Sequence, residues 1–282
     1  MKTLRGKTAL VTGASRGIGI HIAKALAKQG VNLVLVARNA ESLEKVSTEL
    51  SSSSVKVFTI AADVGNIDQL SSLVDEADTL ANGIDILINN AGIDMCVPYH
   101  EMNTDDIVQI NNVNLNAPMI LSRLFLPKMI ERGEGHIVNI ASLSGLVGTP
   151  YSDAYTASKH GLVGFSRSLR ITALGESYPV GISVICPGYI SDTGMWADAK
   201  REVGIKAPPS IGTSSPEKVA KAVLTAITKN KLEVIVNPTP IRPLLLLQSL
   251  FPSIAPWLTQ KTGTIQLMKK IAYHYLNNRE NR

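Results

Sequence analysis

The 282-residue chain predicts a doubly wound α/β fold, a mainly parallel seven-stranded sheet with helices on both faces. Three observations carry that prediction. Seven short apolar segments recur along the chain, longer helix-patterned stretches separate them, and a glycine-rich turn joins the first strand to the first helix. Near-continuous apolar strands belong to parallel sheets buried on both sides, and parallel neighbours need a connection long enough to hold a helix.

The strands are predicted at residues 8–12, 32–37, 56–61, 84–89, 136–140, 181–186 and 233–236. Helices are predicted at 17–28, 40–50, 67–80, 104–132, 153–177 and 216–229. Leu70, Leu73, Val74, Ala77 and Leu80 recur at helical spacing. Ser215-Pro216-Glu217 opens a helix, with Ser at the cap and Pro at the first helical position. Strands and helices alternating in this way describe a Rossmann-type sheet. Residues 190–213 break the rhythm, being polar and rich in Gly and Pro. They follow a strand's C-terminal end, where ligands bind in such sheets, and are expected to form a mobile lid over a substrate. Residues 1–236 are expected to be one dinucleotide-binding catalytic domain. Residues 237–282 are read as an apolar and basic extension, not an independent domain.

Composition narrows the function classes. With 45% hydrophobic and 18% charged residues the chain is ordinary globular protein, which excludes wholesale disorder. The net charge of +5 is unevenly placed. Residues 1–236 hold 22 basic and 22 acidic side chains. The extension holds Arg242, Lys261, Lys269, Lys270, Arg279 and Arg282 against Glu280 alone. A neutral body with a basic tail lacks the clustered basic face of a nucleic-acid binder, so no nucleic acid is expected as partner. Two cysteines, Cys96 and Cys186, give no disulfide framework and suit a reducing compartment. The N-terminus runs straight into the first strand without a signal-peptide pattern, so a cytoplasmic address is expected. His136 and His160 have no partner at ligand spacing, and no metal is expected.

The turn Thr12-Gly13-Ala14-Ser15-Arg16-Gly17-Ile18-Gly19 follows a strand and opens a helix, the context in which a glycine motif carries meaning. Gly13, Gly17 and Gly19 permit a tight turn and close backbone approach. The helix start then presents free N–H groups to a pyrophosphate, with Ser15, Arg16 and Ile18 beside it. A fold of this kind that prefers NAD usually ends its second strand with Asp or Glu for the ribose 2′-OH. Here that strand ends Val36-Ala37-Arg38, and the first acid, Glu41, lies in the next helix. Arg38 and Arg16 are suited to clamp a 2′-phosphate, so NADP(H) is the expected cofactor.

Tyr155-x-x-x-Lys159 supplies the chemistry. The two side chains share a helix face one turn apart, and Ser142 lies thirteen residues before the tyrosine. A free tyrosine ionises near pH ~10, and an adjacent cation favours the phenolate. In order along the chain stand Thr12-Gly13-x-x-x-Gly17-x-Gly19, Asp63, Asn89-Asn90-Ala91-Gly92, Asn114, Ser142, Tyr155-x-x-x-Lys159 and Pro187-Gly188. From about residue 7 to residue 236 this series resembles the short-chain dehydrogenase/reductase family.

The resemblance implies that Tyr155 is the general acid or base for a carbonyl or its alcohol, and that Ser142 orients the substrate oxygen. Ser144 is a rival for that place. Lys159 would also hold the nicotinamide ribose, and Asn114 would anchor a water chain that resupplies the proton. Asp63 would contact the adenine, and Asn89, Ala91 and Gly92 would line the cofactor. Pro187 and Gly188 would pass beneath the nicotinamide. The family commonly has Thr four residues after that Gly, where this chain has Asp192. Ser191 and Thr193 both remain eligible to meet the carboxamide. Met195 and Trp196 are candidates for apolar substrate contact. The family is usually dimeric or tetrameric through the two long helices at 104–132 and 153–177, so a homo-oligomer is expected.

The extension carries Leu244–Leu247, Leu250, Phe251, Ile254, Trp257 and Leu258, punctuated by five prolines. It is too short and broken to span a bilayer. Two readings stand. In one the apolar side chains dip into a headgroup region while Lys269 and Lys270 meet anionic lipid, a peripheral membrane contact. In the other, which is preferred, the segment packs on its own domain or a second subunit and walls the substrate pocket.

Together these residues predict an NADP(H)-dependent oxidoreductase acting on an apolar ketone or aldehyde, or on the corresponding alcohol. A non-catalytic NADP(H)-binding redox sensor is the alternative, and it leaves Tyr155 unexplained. An epimerase or dehydratase on a nucleotide-sugar would need a larger C-terminal substrate domain.

Overall fold

Seven parallel strands form one sheet in the order β3-β2-β1-β4-β5-β6-β7. They are β1 (Thr8–Thr12), β2 (Asn32–Ala37), β3 (Val57–Ala61), β4 (Ile86–Asn89), β5 (Gly135–Ile140), β6 (Val180–Pro187) and β7 (Glu233–Val236). The computed structural model describes residues 1, 3–50, 54–208 and 211–278. Three of the four serines at 51–54, Pro209 and Ser210 of the expected lid, and the charged Arg279, Glu280 and Arg282 lie outside the described residues. β1 pairs with β2 through Leu10↔Val34 and with β4 through Leu10↔Leu87. The strand order therefore reverses between β1 and β4, and the C-terminal ends of those strands flank the crevice where ligands bind in such sheets.

The period of two along each strand sorts its side chains into two cores. Ala9, Val11, Leu33, Leu35, Ile86 and Ile88 pack with α1 (Ile18–Ala27), α2 (Ala40–Leu50) and α8 (Pro216–Thr228). Leu10, Val34, Val36 and Leu87 pack on the other face with α3 (Leu70–Ala81) and α5 (Ala117–Glu131). Ala173 of α6 (Asp153–Gly175) joins that second core.

Three expectations about elements are corrected. The stretch 104–132 is not one helix. It is α4 (Thr104–Asn111), a π turn (Asn112–Asn116) and α5. Pro118 has no N–H, so an α-helical Asn114 carbonyl would lack its i→i+4 donor, and the ladder widens there. The lid segment is not all loop, since it contains α7 (Gly194–Val203). The extension is helical, with α9 (Arg242–Leu250), α10 (Ile254–Lys261) and α11 (Thr264–Asn277). Of these, α11 packs on α7, where Met268, Ile271 and Ala272 cluster with Cys96, Trp196, Ala199 and Ile205. No described helix is long and apolar enough to cross a membrane.

Candidate active site

The glycine turn is held by contacts between the ends of β1 and β4. Thr12 Oγ1 accepts from the backbone N–H groups of Asn90 and Ala91, each at 3.0 Å. Asn90 Nδ2 donates back to the carbonyls of Thr12 at 2.9 Å and Gly13 at 3.2 Å. A Cβ on Gly13 would stand 2.9 Å from Ala91 Cα, and one on Gly19 only 2.2 Å from the Gly13 carbonyl oxygen. Those two glycines therefore serve close packing. Gly17, at φ 66° and ψ −144°, caps α1 without a side-chain bond, and the first turn of α1 holds no acid. Its open side faces Thr193 Oγ1 and Gly194, each 3.8 Å from where a Cβ would sit. Unfilled space above a helix start that no side chain caps suits a dinucleotide pyrophosphate. Ser15 and Ile18 are half-buried on the same turn.

The remaining cofactor candidates are placed as follows. Arg38 is exposed at the end of β2 and has no ion-pair partner among the described residues. Arg16 instead reaches the lid, with Nη1 3.2 Å from Asp198 Oδ2 on α7, and Arg201 engages the same carboxylate. Asp63 borders a cavity of about 320 Å³ with Gly65, Asn66, Asp105 and Asn112. Asn89 turns into the sheet, donating to Asn139 Oδ1 at 2.8 Å inside a buried network that continues from Asn139 to Ser166. Pro187 ends β6, and Gly188 lies where a Cβ would come within 2.5 Å of Asn237 Oδ1. Of the two hydroxyls left open by sequence, Ser191 donates to Asp192 at 2.5 Å, whereas Thr193 caps α7 opposite Gly17.

The chemical residues converge at the C-terminal end of β5 and the start of α6. Ser142 follows β5 at the head of a short 3-10 turn, and its Oγ accepts from Ser144 N at 3.1 Å. The rival Ser144 hydroxyl is paired with Thr149 Oγ1 at 2.8 Å. Lys159 is buried on α6, donates from Nζ to the Ile140 carbonyl at 3.0 Å and lies 5.7 Å from the centre of the Tyr155 ring. Asn114 is fully buried in the π turn. Its amide is consumed by the Ile93 backbone at 2.9 and 2.8 Å and by Ser158 Oγ at 3.1 Å. Gly92 explains itself here, since a Cβ would lie 3.4 Å from both Asn114 Oδ1 and Lys159 Nζ.

Burial dominates the electrostatics of this site. It pushes the Lys159 ammonium down to about 8, against weaker opposing effects of Cys186 and Asp94. It also pushes the Tyr155 phenol above its ordinary value of 10.0, reinforced by the Asp94 carboxylate and opposed by a hydrogen bond with Ser142. The phenol is thus held up by burial in this state, where the sequence reading had Lys159 holding it down. Asp94 is a residue that sequence reasoning missed. Burial raises its carboxyl to about 6, Ser152 Oγ donates to its Oδ2 at 2.9 Å, and its Oδ1 is buried without a partner. Asn237 was missed as well: its Nδ2 donates to Thr239, two residues on, and its Oδ1 faces Gly188. Trp196 stacks on Tyr189 at 4.0 Å beneath α11, while Met195 is exposed.

A glycine turn at the β1–β4 crevice, beside Ser142, Tyr155 and Lys159 on one sheet edge, defines an oxidoreductase of the short-chain dehydrogenase class. A family model described as short chain dehydrogenase matches residues 7–204, and the chain belongs to that family. It is 45% identical over 241 residues to a ketoacyl reductase, HetN, of Nostoc sp. strain PCC 7120, covering 86% of this chain and 82% of that protein. A metagenomic short-chain oxidoreductase solved in complex with NADP superposes with a TM-score of 0.70 at 32% identity, covering 84% of this chain and 99% of that one. A short-chain dehydrogenase/reductase from Burkholderia phymatum, solved in complex with NAD, gives a TM-score of 0.80 at 27% identity, covering 90% and 96%.

Proposed function

We propose that this oxidoreductase interconverts an apolar ketone or aldehyde and its alcohol with NADP(H), using Tyr155 as the general acid and base. The observation that carries the reading is the convergence of half-buried Ser142 with buried Tyr155 and Lys159 at the C-terminal end of β5, with Gly92 against Lys159 Nζ. When bound, NADPH supplies the hydride. Ser142 holds the substrate oxygen, and Tyr155 donates its proton to that oxygen. A phenol kept protonated through neutral pH by burial suits the reductive direction. Lys159, still largely charged at neutral pH, stabilises the phenolate as it forms. Asn114, fully buried with its amide engaged by Ile93 and Ser158, stands beside Lys159 across Gly92, where it anchors the water chain that resupplies the proton.

Arg38, exposed and without an ion-pair partner among the described residues, supports NADP(H), since no acid ends β2 to favour a free ribose. The family includes both cofactors, as the two structural neighbours show for themselves. The apolar cluster of Trp196, Tyr189 and Met268 supports an apolar substrate, and the ketoacyl reductase relative puts acyl-thioester ketones on the panel to be tried. Residues 190–213 act as its lid in this reading, and residues 1–236 as its catalytic domain. Met119, Ile171 and Leu174 are exposed on α5 and α6 and support a homo-oligomer formed through those helices.

The test follows NADPH and NADH oxidation by purified protein against apolar ketones, aldehydes and 3-oxoacyl thioesters, with Tyr155→Phe alongside. Turnover with NADPH should fall by at least ~100-fold in the variant. NADH preferred over NADPH refutes the Arg38 argument. NADPH binding without turnover across the panel favours the redox-sensor alternative.

A further inference from the structure

We infer that α9 and α10 form a docking surface for an anionic lipid bilayer, placed at the mouth of the active site. On α9 the side chains Leu246, Leu250, Leu247 and Leu244 follow one another around an arc of about 160° at 3.6 residues per turn, and Phe251 follows at the C-cap. All five are exposed, Leu246 and Leu250 by 68% and 73%. Leu245 and Gln248 lie on the opposite side and are half-buried, and Gln248 Nε2 donates to the Leu146 carbonyl at 3.0 Å. The helix is therefore anchored through Gln248 and turns four of its five leucines outward, the reverse of a helix packed on its own core. Trp257 on α10 continues the exposed surface. Within the single chain the exposed leucines of α9 are not packed on its own domain, while α11 packs on α7.

Charge selects the occupant. From residue 237 to residue 278 the chain holds Arg242, Lys261, Lys269 and Lys270 and not one Asp or Glu. A second copy docking by the same face across a two-fold axis would bring Arg242 of α9 and Lys261 of α10 together with their copies, with no acid of the segment to pair them. An anionic headgroup layer accepts them, while the leucines and Trp257 enter the interfacial region. The geometry gives the surface a purpose. Leu146 lies just after the turn that begins at Ser142, so α9 is tied to the loop beside the reacting centre. An apolar substrate dissolved in the bilayer would then enter beside Ser142 without crossing water. That last step rests on the function proposed above. The docking does not.

The full-length protein is floated with phosphatidylcholine vesicles with and without phosphatidylglycerol, beside the double variant Leu246→Ser, Leu250→Ser. Both leucines are exposed, so circular dichroism and melting of the variant should match the parent. Expected are flotation with the anionic vesicles, weakening as salt rises, and a loss of roughly tenfold or more in partitioning for the variant. A blue shift of emission on binding that disappears in Trp257→Phe places the contact on α10. No flotation with anionic vesicles, or flotation unaltered in the double variant, overturns the inference. So does equal binding to both vesicle types at all salt concentrations. A dimer in light scattering that the double variant dissolves, without vesicle binding, assigns the face to a second copy. None of these readouts needs turnover, so their failure is distinct from failure of the proposed reaction.

Discussion

Asp94 is the residue whose surroundings are least explained by its neighbours in sequence. Its Oδ1 is buried without a partner, while Asp153, Tyr155 and Lys159 share its field. Burial raises the carboxyl from 3.8 to about 6, so the unfolded chain releases this proton at lower pH than the folded one. Native stability therefore falls as pH rises from about 4 to 6, and the penalty is fully present above that window. Asp94→Asn keeps the acceptor for Ser152 and removes the charge. We expect it to raise stability at neutral pH by on the order of 1–2 kcal/mol, less than the full shift because Asp94 also favours charged Lys159. The gain should vanish below about pH 4. Melting curves across that range check the prediction, and an unchanged melting temperature at neutral pH would refute it.

At the scale of elements, the join between β1 and α1 depends on absent side chains. Gly19 has no room for a Cβ, whereas Gly17 has room but a backbone that only glycine adopts readily. Gly19→Ala must push the Gly13 carbonyl aside. The expected cost is about 1–3 kcal/mol of stability together with loss of NADPH binding, measured by melting and by cofactor fluorescence titration. Wild-type affinity in this variant would show that the turn relaxes freely. The motif and its strand–helix context were legible in sequence because glycine spacing is a local signal. The clamp of Thr12 and Asn90 that gives the turn its shape was not, since it spans 78 residues.

The same division explains which helices were legible. α2 matches its predicted bounds because its apolar period decides it locally. α9 and α10 tolerate their prolines, since Pro243 lies in the first turn of α9 and Pro256 near the start of α10. Proline in a first turn removes an N–H that has no intrahelical partner anyway.

In the whole molecule, α7 is held between two distant parts of the chain. Arg16 of the glycine turn pairs with Asp198 on one side, and Met268, Ile271 and Ala272 of α11 cover Trp196 on the other. A chain ending at Gly263 removes the apolar backing of α7 and leaves the sheet intact. The expected result is a red shift of Trp196 emission, with Trp257→Phe as background, and a rise in substrate KM larger than any fall in kcat. An unshifted Trp196 spectrum would show that α7 holds its place without α11.

Sequence alone determined the sheet, its covering helices, the family, and the pairing of Tyr155 with Lys159. Each rests on periodicity or fixed spacing, which local backbone geometry turns directly into shared faces and turns. Tertiary structure decided which glycines pack and which stay open, that Arg16 is tied to α7 while Arg38 has no ion-pair partner among the described residues, and that Asp94 lies within the field of the dyad. It also decided that α11 turns inward while α9 turns its leucines outward. Burial and partnership depend on what the rest of the chain brings to a side chain, and no periodicity in the residue's own neighbourhood encodes that.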